Sequence, residues 1–289
     1  MMDAARHCGY AVGYFESWNL ESLQGVVDAA EQTCSPVVLG FNGDFLSRPN
    51  RATQERLELY AAMGRAACAA ASVPCALIFN ECPRDEWVRR ASKLGFNLIM
   101  PADPTAPFEQ YTQRVALLVR DAHEQGVCVE AEIGELPCGA SGLVAHGGAM
   151  TDPAVAEKFV ERTGVDLLAV SVGNVHIMVH GEQPLDLRQL AAIRRRVPTP
   201  LVLHGGSGIE ANSLGEAIRL GVVKVNYGTY LKQRYLGAIR RALSYENGNP
   251  HELLGIGQER DVMGAGRLAV RDAVLERIGL LGCCGKAGT

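Results

Sequence analysis

The chain of 289 residues has no apolar stretch of the roughly 18 residues that a membrane helix needs, and no signal-peptide pattern. No membrane association is expected, and the location is read as cytoplasmic. It also lacks a basic field. The formal net charge is −4, aromatics make up only 6% of residues, and no Lys/Arg stripe is interleaved with them, so nucleic acid is not an expected partner. The run Arg194-Arg195-Arg196 closes a predicted helix, where cations suit the helix dipole, and is read as a solvated face. No GxGxxG follows the first apolar run, which counts against a dinucleotide fold. Cysteine is plentiful, at nine, but zinc-ribbon spacing is missing: Cys283-Cys284 stands alone near the C-terminus. In a cytosolic chain these are free thiols. Cys34, Cys68, Cys75 and Cys128 have apolar neighbours and pack as small hydrophobes, whereas Cys82 follows a predicted strand end.

What is present is an ordinary globular composition, 47% hydrophobic and 21% charged, with ample core. Its length fits two average domains or one α/β barrel of about 250 residues. Strand candidates are 9–15, 36–41, 74–80, 96–101, 127–133, 165–172, 200–204 and 222–226. Between them lie amphipathic stretches at 20–33, 53–71, 84–94, 108–125, 153–163, 187–197 and 211–220, with a further helix from near Thr229. Near-continuous apolar strands separated by helices predict a parallel sheet buried on both faces. Eight βα units at this length predict a closed (β/α)8 TIM barrel, α/β in class, as a single unit over 1–289. The stretch 134–151, rich in Gly and Ala, reads as a lid over the barrel mouth. The tail, about 247–289, is expected to add C-terminal helices that pack on the barrel or on a partner subunit.

Two histidines stand at strand ends, in Gly173-Asn174-Val175-His176 and in Leu203-His204-Gly205-Gly206-Ser207-Gly208. Residues just past a barrel strand's C-terminal end point into the active-site mouth. Two imidazoles there, with a Gly-rich turn offering backbone N–H groups beside one of them, suggest a metal next to an anion site. A single histidine in such a place is more often a satisfied core or loop residue; the pair is what raises the metal reading.

From Tyr10-Ala11-Val12 to Lys224-Val225-Asn226 the chain resembles the class II, metal-dependent fructose- and tagatose-bisphosphate aldolases. The resemblance is strongest around His176, in His204-Gly205-Gly206-Ser207-Gly208, and from Val222 to Thr229. Glu130-Ala131-Glu132-Ile133-Gly134 and 159–166 are also similar to that family. The resemblance implies that His176 and His204 are zinc ligands. It implies that Ser207, Thr229 and the Gly205–Gly206 backbone grip a substrate phosphate, and that Asn226 contacts substrate near the metal.

The departures lie on the same face. Where the family carries His-x-Asp-His after the third strand, this chain has Ile78-Phe79-Asn80-Glu81. Asn80 can orient a hydroxyl but cannot act as a general base. Glu81 stands where the third zinc histidine would be; two His and one Glu form a legitimate catalytic set. The other reading of Glu81 is a solvated loop-top residue, with the metal lost. Glu132 is a possible further ligand. Ile177 replaces a family glycine, His180 a phosphate-site lysine of some members, and Gly228 an aspartate; the segment 136–150 has no carboxylate. Phe15-Glu16-Ser17 and Phe41-Asn42-Gly43 replace neutral family patterns, and Glu16 adds negative charge near the anion site. With Asn80 in place of Asp, Glu16, Glu132 and His180 are the candidates for proton transfer.

The resulting expectation is a zinc-dependent aldolase-like lyase, a homodimer or homotetramer, acting on a phosphorylated ketose or related hydroxyketone and poor on fructose 1,6-bisphosphate. The partner is a small phosphorylated sugar. Two other readings stay open: a metal-dependent sugar-phosphate isomerase or epimerase, and a non-catalytic phosphosugar-binding pseudoenzyme. A Schiff-base aldolase is disfavoured, because Lys224 is the only lysine on a predicted barrel strand and the family carries it without that role.

Overall fold

Eight parallel strands close on themselves in sequence order in the computed structural model, β1 pairing with β8. The structure describes residues 1–134, 136–137, 148–176, 178, 180–244, 249–258 and 260–288. The strands are β1 (Val12–Ser17), β2 (Val37–Asn42), β3 (Cys75–Cys82), β4 (Leu98–Pro101), β5 (Cys128–Ile133), β6 (Leu167–Val170), β7 (Leu201–Leu203) and β8 (Val222–Tyr227). The helices are α1 (Met2–Cys8), α2 (Leu20–Gln32), α3 (Gly43–Ser47), α4 (Leu57–Ala70), α5 (Asp85–Leu94), α6 (Phe108–His123), α7 (Pro153–Thr163), α8 (Leu187–Arg196), α9 (Ala211–Arg219), α10 (Thr229–Leu243), α11 (Pro250–Leu253) and α12 (Val262–Leu281). This is the (β/α)8 barrel that the strand and helix periodicities predict. Among the described residues no helix is long and apolar enough to cross a membrane.

Each strand is apolar because it is covered twice, by barrel interior and by helix layer; Val12, Val37, Val38, Leu39, Val129, Leu168, Val202 and Val223 are all fully buried. The helices start where polar side chains take up the free N–H groups of the first turn. Asn19 and Ser22 form a reciprocal capping box on α2, Asp152 caps α7 and Asp186 caps α8.

Three local differences from the sequence reading have physical causes. The segment 9–11 is not strand: α1 ends at Gly9 in the left-handed region, and β1 begins only at Val12. The short helix α3 forms because the Asn42 side chain accepts a hydrogen bond from Phe45 N and so caps it. Strand β3 runs on to Cys82, with an irregularity between Phe79 and Cys82 that proves central to the site.

The tail packs on the barrel itself. Helix α12 lies against α2 and α10. Gly25 makes the first contact possible, since a Cβ there would come within 2.6 Å of the Arg267 carbonyl oxygen. Arg267 then grips Asp28 with both arms of its guanidinium, at 2.6 and 2.7 Å. Most of the predicted lid, Glu135 and 138–147, lies outside the described residues, as does Ile177.

Candidate active site

The side chains at the C-terminal mouth come from strand positions two apart, which share a face. Tyr14 and Glu16 on β1, Glu130 and Glu132 on β5, and Lys224 and Asn226 on β8 form three such pairs. Asn42 ends β2, Asn80 and Glu81 lie near the end of β3, His176 follows β6 and His204 follows β7. All of them but Glu130, Glu132 and Lys224 line a cavity of about 300 Å³, together with the apolar side chains of Phe45, Met178 and Leu236.

The loops after β6 and β7 are locked together, which brings the two histidines to one place. The Asn174 amide donates to the carbonyls of Val170 and His204, at 3.3 and 3.0 Å. Gly205 adopts φ +67, and a Cβ there would collide with the Val175 carbonyl. Only glycine allows this approach.

Glu81 is one of two non-glycine residues with positive φ among the described residues, at +53. Such a conformation costs on the order of 1–3 kcal/mol and persists where the surroundings enforce it. Here it turns a carboxylate inward. Its Oε2 accepts a 2.8 Å hydrogen bond from Asn42 Nδ2, and the Asn80 amide donates as well. Burial pushes the Glu81 carboxyl up, but the charges of His176 and His204 and the two amide hydrogen bonds outweigh it and hold it below the ordinary range. Glu81 Oε1 lies 3.7 Å from both His176 Nε2 and His204 Nδ1. The sequence alternative of a solvated loop-top residue is therefore not what forms.

His204 is almost fully buried and held from both sides. Its Nε2 donates to Glu130 at 2.9 Å, and its Nδ1 is in direct contact with Glu132. Burial disfavours its charge, but Glu132 and Glu130 overcome this and push the imidazole up to about 10. Glu130 in turn meets Lys224 at 2.8 Å, both without exposure. Burial raises the Glu130 carboxyl, but Lys224 and His204 bring it down to about 2. Lys224 also donates to Asn226 Oδ1 at 2.5 Å, which leaves the Asn226 Nδ2 group facing the cavity.

Which of these residues fit a metal follows from their chemistry. A spacing of 3.7 Å is too long for a hydrogen bond and close to the edge, about 3.4 Å, of a tetrahedron with ~2.1 Å bonds. With the histidines neutral, as metal ligands must be, four carboxylates, Glu16, Glu81, Glu130 and Glu132, face two lysines, Lys224 and Lys232, in and below the mouth among the described residues. The two-charge excess is what a divalent cation neutralises. The Glu130–His204 bond is the outer-shell arrangement that fixes a ligating imidazole's tautomer, and an ion at Nδ1 would take the place of the proton that now faces Glu132. The donor set therefore fits a divalent ion. Among the described residues, however, no three His, Cys, Asp or Glu side chains already enclose one point at ligand spacing.

Gly205, Ser207 and Thr229 line the same cavity, with Gly206 packed behind them against Val225 and Tyr227 of β8. Residues 206–208 make a single 3-10 turn, and Tyr230 N donates to Ser207 Oγ at 3.3 Å, joining this turn to the first turn of α10. Glu16 lines the cavity and pairs with Lys232 at 2.5 Å. Burial raises its carboxyl, opposed by Lys232. Glu132 enters the cluster through His204. His180 does not join it: it is exposed and not among the residues lining the cavity. Sequence reasoning assigned no role to Glu130, Lys224, Tyr14, Asn42 or Lys232. The signal for the first two was opposite charges at inward-facing positions of barrel strands, where a single charge would be prohibitive.

A family profile described as "Fructose-bisphosphate aldolase class-II" matches residues 1–286. The fructose-bisphosphate aldolase of Geobacillus stearothermophilus is 31% identical, across 99% of this chain and 96% of that protein. The uncharacterised protein YdjI of Escherichia coli is 35% identical, across 96% of this chain and 94% of its own. The crystal structure of the YdjI aldolase superposes with a TM-score of 0.81 at 32% identity, over 99% of this chain and 96% of that one. A putative fructose-1,6-bisphosphate aldolase from Coccidioides immitis gives 0.82 at 26%, over 99% and 96% of the two chains. The chain belongs to the class II fructose-bisphosphate aldolase family.

Proposed function

We propose that the protein is a metal-dependent aldehyde-lyase that reversibly cleaves a phosphorylated ketose or related hydroxyketone to a triose phosphate and an aldehyde. The observation that carries this reading is the Glu81 carboxylate set between His176 and His204, 3.7 Å from each, in the mouth of an aldolase-family barrel. His176, His204 and Glu81 would hold a divalent ion, zinc by the N and O donor set, with Glu132 as a further donor. When bound, such an ion supplies Lewis-acid polarisation of a carbonyl and stabilises the negative charge released on C–C cleavage.

The chain's own groups do the rest. The N–H groups of Gly206 and Ser207, with the Ser207 and Thr229 hydroxyls, take the phosphate, because a Gly-rich turn presents donors without side-chain obstruction. Three buried polar atoms of cavity-lining residues have no hydrogen-bond partner among the described residues: Tyr14 OH, Asn80 Oδ1 and Asn226 Nδ2. Buried polar groups are rarely left so, and these suit a polyhydroxylated ligand. Asn226, its oxygen tied to Lys224, offers an N–H to the substrate's carbonyl region. Asn80 accepts from a substrate hydroxyl. Of the three candidates for proton transfer, Glu16 is the one lining the cavity, and it exchanges the proton of the hydroxyl that becomes the aldehyde.

The reading is tested by metal analysis. Protein grown with ample zinc should carry about one divalent ion per chain and His204→Ala should lose it, whereas metal-free wild-type protein would sink the reading.

A further inference from the structure

Resting on that reading, and narrowing its substrate, we propose that the site takes ketoses carrying a single phosphate, with the aldehyde half hydroxylated and uncharged. The argument is one of available charge. Among the described residues lining the cavity, Lys232 is the one lysine, and no arginine lines it. A phosphate at the far end of the ketose would need that lysine.

Lys232 is already occupied, twice over. Its Nζ meets Glu16 Oε1 at 2.5 Å and lies 4.5 Å from the centre of the Phe45 ring. Phe45 belongs to α3, beyond β2, so the ammonium is drawn towards the β1–β2 side and away from the turn at Gly205–Ser207 after β7. Glu16 is itself nine-tenths buried and held in place by the shape of its neighbour. A Cβ at residue 228 would collide with Glu16 Oε2, and Gly228 has φ −134, so the backbone there does not call for glycine. Its missing side chain is the space in which the carboxylate sits. A second phosphate arriving here would find its only lysine neutralised and a buried carboxylate beside it. Like charges so juxtaposed disfavour binding strongly. What remains on this side of the cavity is neutral: the partnerless Tyr14 and Asn80 oxygens and the apolar side chains of Phe45 and Leu236. That lining accepts hydroxyl groups and carbon.

The test uses zinc-loaded full-length protein and four ketose 1-phosphates (fructose, tagatose, sorbose, psicose), each beside its 1,6-bisphosphate. Triose-phosphate release gives kcat/KM and calorimetry gives Kd. Wild type should prefer the best monophosphate over its bisphosphate by at least about tenfold in both. Glu16→Gln, which also removes the proposed proton carrier and is therefore read by Kd alone, should shift that ratio towards the bisphosphate by about tenfold. Adding Lys232→Met should abolish the shift. A wild type that favours the bisphosphate, a Kd ratio unmoved by Glu16→Gln, or binding of neither class overturns the inference. Monophosphate-selective binding without cleavage would uphold it while refuting the lyase reading.

Discussion

Residues 80 and 81 behave as one unit. The Asn80 amide donates to the Glu81 carboxylate, and Asn42 donates from the other side, so Glu81 is held ionised in a strained, inward-turned conformation. An aspartate at 80 would instead set two carboxylates against each other and remove a donor. Asn80→Asp alone is expected to destabilise the fold by ~1–3 kcal/mol, the cost of leaving buried polar groups unsatisfied. Urea unfolding measures this, and a single variant as stable as wild type would contradict the coupling. Asn80→Asp with Glu81→His should recover most of that loss and raise cleavage of fructose 1,6-bisphosphate above the wild-type trace. A positioned general base is worth about 10²–10⁴-fold in rate.

At the scale of elements, one aspartate anchors the C-terminal helix. Asp261 Oδ1 accepts from Met263 N and Gly264 N, and its Oδ2 from Gly255 N and Gly257 N. It thus caps α12 and ties the preceding loop to it. Burial raises its carboxyl, but the four backbone N–H groups outweigh this and hold it below the ordinary range. Since the folded value is depressed, the stabilisation is present above the unfolded value of about 3.9 and is lost as pH falls through the folded one. Asp261→Ala should therefore lower stability at pH 7 by up to ~2 kcal/mol. The gap to wild type should narrow below pH 4, and a gap independent of pH would argue against the charged cap. Periodicity made the eight strands and the helices between them readable, because strands covered on both faces are written as unbroken apolar runs such as Leu167–Val170. It could not reveal that α1 displaces the start of β1, or that Asn42 nucleates α3, since both depend on one residue's backbone or cap. The histidines and the Gly-rich turn were legible as strand-end residues. Glu130, Lys224 and Lys232 were not, because their meaning is their pairing across the barrel, a relation between distant positions.

For the whole molecule, the barrel mouth is an arrangement of charge awaiting balance. Glu16 is answered by Lys232 and Glu130 by Lys224, while Glu81 and Glu132 converge on His204. A divalent ion at His176, His204 and Glu81 would complete that balance, and a phosphorylated ketose would satisfy the orphaned Tyr14, Asn80 and Asn226 atoms. The central claim is that this site performs aldol chemistry only when the ion is present. The direct measurement is triose-phosphate release from a ketose 1-phosphate by zinc-loaded protein, by the same protein after chelation, and after zinc is restored. The account predicts release, loss and recovery, in that order. Release that survives removal of the metal, or no release from any ketose phosphate with the metal bound, would contradict it.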